Sequence, residues 1–223
     1  MSGIGVLREG PLHAALKDLY GCPGDRAEAK VGRFVIDLVR ADGELVEFQT
    51  GDFSPLGPKL DALLDEHRIR IVHPVAAERR IVRVDAQGEV VSARRSPVQG
   101  RPLAIFERLV SFPSLLAHPN LVVEVLMCRE DHVRAPEPRR GRRFRRDPGE
   151  RRLLEVLGRI VLQEPHDALA LVAPPQNPFT NRDLAEALHC DLRLAERATY
   201  CLQHAGVLEA VGKRGRAALF AAV

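Results

Sequence analysis

Several features are missing from this sequence, and each absence narrows the reading. No apolar run in its 223 residues approaches the roughly 18 that a membrane-spanning helix needs. The start, MSGIGVLREG, has no basic stretch followed by an apolar one, so a secretory signal is not expected. Only four cysteines (Cys22, Cys128, Cys190, Cys201) are present, too few for a disulfide framework in a chain of this length. Together these point to a soluble, cytoplasmic protein. Neither GxGxxG nor GxxxxGK occurs, which removes the glycine-rich phosphate loops, and GxSxG, the nucleophile elbow, is absent too. There is no internal repeat. Lysine is scarce, 4 against 29 arginines, a ratio that by itself carries no function.

What is present is ordinary globular composition, 45% hydrophobic and 28% charged, with a net charge of +3. The charge is unevenly placed. Residues 1–134 carry 18 basic against 19 acidic side chains, residues 135–152 carry 8 against 3, and residues 153–223 carry 7 against 8. The excess therefore sits in APEPRRGRRFRRDPGERR. Prolines and glycines break any periodicity there, and like-charge blocks stay solvated. Residues 135–149 read as a basic linker between a domain at 1–134 and another at 150–223.

In the first domain, PLHAALKDLY has helical spacing. FVIDLV is apolar on both sides of Asp37, as a covered central strand would be. Ala41-Asp42-Gly43 is a turn, LVEFQT a second strand, and Ser54-Pro55 opens a helix. RIRIV and RIVRV read as third and fourth strands, residues 102–110 as a helix and LVVEVLM as a further strand. In the second domain, apolar residues at 153, 154, 157, 160 and 161 predict a helix over Glu150–Leu162. Then come a short helix near 167–172, a helix capped by Thr180, a helix over 192–205 ended by Gly206, and a β-hairpin to Phe220. Helix, turn, helix and two-stranded wing is the winged-helix order.

The candidate chemistry centres on Glu9, Asp37, Glu47 and Gln49. A carboxylate inside an apolar strand needs a cation, a metal or donors beside it. Two carboxylates on neighbouring strands can hold a divalent ion, Mg²⁺ or Mn²⁺, with room left for water and a phosphate. Their meeting depends on register. A three-residue loop at Ala41–Gly43 pairs Arg40 with Glu44, sets positive φ at Gly43 and puts Asp37 opposite Glu47. A two-residue loop would put Asp37 opposite Phe48 instead.

FVIDLV, a short turn and VEFQTG, between helices, resemble the PD-(D/E)XK restriction-endonuclease-like core. The resemblance implies an α/β domain with a central mixed sheet, with Asp37 and Glu47 as metal ligands and Glu9 as a helical helper. It departs at Gln49, where the motif has lysine. Lys59 on the next helix is the candidate replacement ammonium. A wider resemblance, through LHAALKDLYGCPGD, EFQTGDFSPLGPKLDALLDEHRIRIVHPV, LVSFPSLLAHPN and GVLEAVGKRGRAALF, is to an uncharacterised bacterial family that pairs a nuclease-like domain with a C-terminal winged helix.

That resemblance implies a Mg²⁺-dependent protein acting on nucleic acid, double-stranded DNA before other forms. The alternative is a non-catalytic DNA-binding or regulatory protein on an inactive nuclease-like scaffold. Candidate nucleic-acid contacts are Arg139, Arg140, Arg142, Arg143, Arg145 and Arg146 in the linker. Arg193, Arg197 and Tyr200 on the recognition helix join them, as do Lys213, Arg214 and Arg216 on the wing. A homodimer is left open. His189, Cys190, Cys201 and His204 fit no structural zinc spacing.

Overall fold

A computed structural model describes residues 10–135 and 149–223. Within them the chain is a mixed α/β structure around a central mixed sheet of seven strands. Helix α1 (Pro11–Tyr20) comes first. Its buried residues Leu12, Leu16 and Tyr20 follow a four-residue repeat, so one stripe faces the sheet. Strands β1 (Arg26–Val31), β2 (Phe34–Val39) and β3 (Leu45–Phe48) form an antiparallel meander. Helix α2 (Gly57–Leu63) carries the chain across to β4 (Ile69–Val84), which lies parallel to β3. Strand β5 (Val90–Arg95) turns back along the far half of β4. After the short helix α3 (Phe106–Leu109), β6 (Leu121–Arg134) runs parallel to β4, and β7 (Glu150–Leu162) runs antiparallel to β6. The path is β1-β2-β3-β4-β6-β7, with β5 on β4 beyond β3.

Three helices, α4 (Pro165–Val172), α5 (Asn181–Ala187) and α6 (Leu192–His204), and the hairpin of β8 (Leu208–Arg214) and β9 (Ala217–Ala222) complete the chain. A bridge between Phe179 and Phe220 ties the segment before α5 to the hairpin. Thr180 caps α5 with Asp183 reciprocating, as the sequence spacing indicated.

The sheet buries two faces. On one, Leu38, Val46, Phe48, Val72 and Leu126 pack under α1. On the other, Leu45, Ile69, Ile71, Val123 and Val125 share a continuous core with α2, α3 and the C-terminal helices, including Cys201 and Phe220.

Two segments depart from the sequence expectation. Residues 150–162 are a strand, not a helix. Met127 faces Gly158 but Cys128 faces Val156, and Arg129 faces Glu155 but Glu130 faces Leu153. Leu157 and Leu154 are thus extra residues in two bulges. The bulge at Leu154 sets Leu153 and Val156 three apart on the face under α1, while Ile160 packs on the other face, and together these buried positions imitate helical spacing. The expected third and fourth strands are one strand, β4, which passes through Pro74 and shifts register between Ala76 and Glu78. β1 (RAEAKV) gave no sequence signal because as an edge strand it buries no residue.

Candidate functional site

The β2–β3 loop has the three-residue form. Arg40 N–H donates to Glu44 O at 2.9 Å, Gly43 N–H donates to Arg40 O at 3.0 Å, and Gly43 has φ +92°. The ladder pairs Val39 with Leu45 and Leu38 with Val46. Continued one step, that register would set Asp37 opposite Glu47, but the ladder ends at Leu38 and Val46. There the ladder opens. Phe48 N–H donates at 2.8 Å to the Asp37 carboxylate instead of to the backbone of β2. Lys59 on α2 donates to Val35 O at 2.9 Å.

Each carboxylate has its own cationic partner. Asp37 Oδ2 lies 3.1 Å from His13 Nε2 on α1. Glu47 Oε1 lies 2.6 Å from Lys59 Nζ. Burial opposes ionisation of Asp37, but the hydrogen bonds from His13 and Phe48, with the charges of His13 and Lys17, outweigh it and hold its carboxyl below the usual range. Glu47 goes the other way: burial first, then the negative charge of Asp37, raises it against the pull of Lys59. Two acids within Coulombic reach, pushed in opposite directions, are the pattern of a site with divided roles.

Gln49 directly follows β3, and its side-chain amide nitrogen donates to Asp52 O and closes the loop after the strand. Its backbone carbonyl accepts from His73 Nδ1 at 2.6 Å. Burial pushes the His73 imidazole down to about 4, so it stays neutral. Glu9 lies outside the described residues. Among the described residues, no group of three or more His, Cys, Asp or Glu could hold a metal ion.

His13 had no signal in the sequence beyond its place on the exposed-to-buried border of α1. The closed network nearby was not legible either. Arg70 bridges Glu44 (3.1 Å) and Glu124 (2.9 Å), and Glu124 also accepts the Tyr20 hydroxyl. Further along, Glu130, fully buried, sits between Arg79 (2.6 Å) and Arg151 (2.7 Å), and Arg151 also donates to Thr50 O.

Of the C-terminal candidates, Arg193, Lys213 and Arg216 are exposed, and Tyr200 is exposed with its ring 4.1 Å from that of His204. Arg197 faces Glu107 of α3 at 3.9 Å, and Arg214 pairs with Asp183 at 2.8 Å. The six linker arginines lie outside the described residues.

No helix among the described residues is long and apolar enough to cross a membrane. No solved structure matches the chain. An uncharacterised protein of Treponema pallidum (strain Nichols) is 30% identical over 97% of this chain and 86% of its own length. A family model described as a domain of unknown function, DUF8091, matches residues 10–163, from the start of α1 to just past β7. The chain therefore belongs to the DUF8091 family.

Proposed function

We propose that this chain is a Mg²⁺-dependent, nuclease-like protein that binds double-stranded DNA. The observation that carries the reading is the electrostatic coupling of Asp37 and Glu47 where the β2–β3 ladder opens, with Asp37 favoured as carboxylate and Glu47 raised by burial and by its neighbour's charge. A divalent cation between them would relieve that repulsion, and hard oxygen donors suit Mg²⁺ or Mn²⁺. When bound, such an ion lowers the pKa of water and stabilises a leaving oxygen. Asp37 and Glu47 would hold it, His13 and Phe48 N–H orient Asp37, and Lys59 takes the place of the lysine that the motif puts at Gln49. The helix–hairpin–helix–strand order around the pair agrees with a restriction-endonuclease-like core.

The order α4, α5, α6, β8–β9, closed by the Phe179–Phe220 bridge, supports a winged-helix reading for duplex docking. Arg193, Tyr200, Lys213 and Arg216 are its contacts. Arg197 and Arg214 contribute only if they exchange Glu107 and Asp183 for phosphate.

A second reading, a non-catalytic DNA-binding or regulatory protein on the same scaffold, is favoured by Gln49, whose amide is committed to Asp52. A plasmid-nicking assay with Mg²⁺ and with chelator decides between them. Nicking by wild type that chelator, Asp37→Asn and Glu47→Gln each abolish supports the first. Retained duplex binding with no nicking supports the second.

A further inference from the structure

Inside β1 the backbone takes a conformation foreign to strands. Glu28 has φ +50°, the left-handed region that is strained for a residue with a Cβ. Among the described residues, glycine fills eight other positive-φ positions. The remaining two, Ala173 and His189, stand just past α4 and α5, where a left-handed residue is an ordinary helix ending. Glu28 alone lies within a strand. A kink keeps an edge strand from pairing with another chain, but glycine would supply it without strain. Glutamate here therefore points to a use for its side chain. That carboxylate accepts from Lys17 Nζ at 2.9 Å. Lys17 stands one turn after His13 on the same face of α1. β1 and β2 pair Ala27 with Leu38 and Ala29 with Ile36, so Glu28 and Asp37 lie between these pairs on neighbouring strands. Two ion pairs thus run side by side from α1 to the sheet, His13 to Asp37 and Lys17 to Glu28. Both hydrogen bonds to Asp37 end on Oδ2, and none among the described residues ends on Oδ1.

We infer that Glu28 is a positioning residue that holds the Lys17 ammonium off Asp37, so that Asp37 Oδ1 stays open to a divalent cation. The inference rests on the carboxylate reading above and deepens it. An ammonium and a divalent cation compete for the same carboxylate, and Lys17 is already close enough for its charge to be felt at Asp37. A second carboxylate on the next strand settles the competition by taking the ammonium. Glu28 is not itself a ligand, since no group of three His, Cys, Asp or Glu among the described residues could hold a metal ion. Its effect runs through Lys17, and the backbone strain is the cost of aiming its side chain at α1.

The test is calorimetric titration of Mn²⁺ into the full chain and into Glu28→Gly, Lys17→Met and the double variant Glu28→Gly/Lys17→Met, each first melted thermally. Glu28→Gly relieves the left-handed strain and melts at or above wild type. Its Mn²⁺ affinity falls about tenfold, the strength of one charged hydrogen bond that the ion must displace. Removing the lysine as well restores wild-type affinity, which neither a structural role nor direct ligation by Glu28 would do. Lys17→Met alone binds at least as tightly as wild type. Unchanged affinity in Glu28→Gly, or a loss that Lys17→Met does not reverse, overturns this inference and leaves the carboxylate reading standing. Wild type that binds no Mn²⁺ overturns both. If Glu28→Gly melts too low to be titrated, Glu28→Gln, which keeps the side-chain length and gives up the charge, replaces it in the same comparison.

Discussion

Two regions of the sheet bury acids in opposite ways. Under α1, Arg70 bridges Glu44 and Glu124, Arg68 (3.3 Å) and Arg159 (3.7 Å) add a second cation to each, and Tyr20 fills a remaining acceptor position on Glu124. Every charge there meets its opposite, and the network stabilises the fold without reaching outward. At the β2–β3 opening, Asp37 and Glu47 feel each other's charge, each takes one cation from helices on opposite faces of the sheet, and their ionisation is driven apart. Burial of charge is thus common to both. What separates a candidate site from a structural network is like charge left beside like charge.

The comparison can be broken at several points, the first with the largest effect. Changing Arg139, Arg140, Arg142, Arg143, Arg145 and Arg146 to serine should lower the salt slope of duplex binding by about five and cut affinity by orders of magnitude. An unchanged slope in an anisotropy titration would reduce the tract to a tether. In the closed network, Arg70→Met leaves Glu44 with Arg68 alone and Glu124 with Arg159 alone, both half-exposed. Urea unfolding should show a loss of about 3 kcal/mol, the low end of the cost of removing one partner of a buried pair. Metal affinity of the folded fraction should not move.

His73 sharpens the contrast as a buried group that stays neutral. Its imidazole titrates near 4 when folded, against an ordinary 6.5. The unfolded chain takes up that proton first on acidification. The contribution is therefore complete above pH 6.5 and lost as pH falls toward 4, about 3 kcal/mol in all. His73→Gln should flatten the decline of urea midpoints over that window. The smallest effect is at Lys59. Lys59→Met removes a charged hydrogen bond of about 2 kcal/mol. Glu47, already above its ordinary 4.5, then rises further. The deficit of this variant should be least below pH 4.5 and grow as pH rises through the folded value, read from midpoints at several pH values.

Much of this was legible in the sequence for identifiable reasons. Gly43 tolerates positive φ, so the loop length, and with it the pairing of Val39 with Leu45 and of Leu38 with Val46, followed from three residues. Thr180 and Asp183 announced α5 because a capping box is local chemistry. β7 was misread because bulges and burial on both faces of the strand together imitate helical spacing. His13 and the Arg70 network could not be read because their partners lie 24 and 54 residues away, and only tertiary packing brings them together. The ammonium beside Glu47 was anticipated at Lys59, since α2 follows β3 closely and returns over it.

The most direct measurement is a calorimetric titration of Mn²⁺ into the wild-type chain and into Asp37→Ala at pH 7. The account expects saturable binding to wild type that Asp37→Ala abolishes while thermal melting shows it folded. Absence of binding to wild type, or equal binding to both, would contradict it.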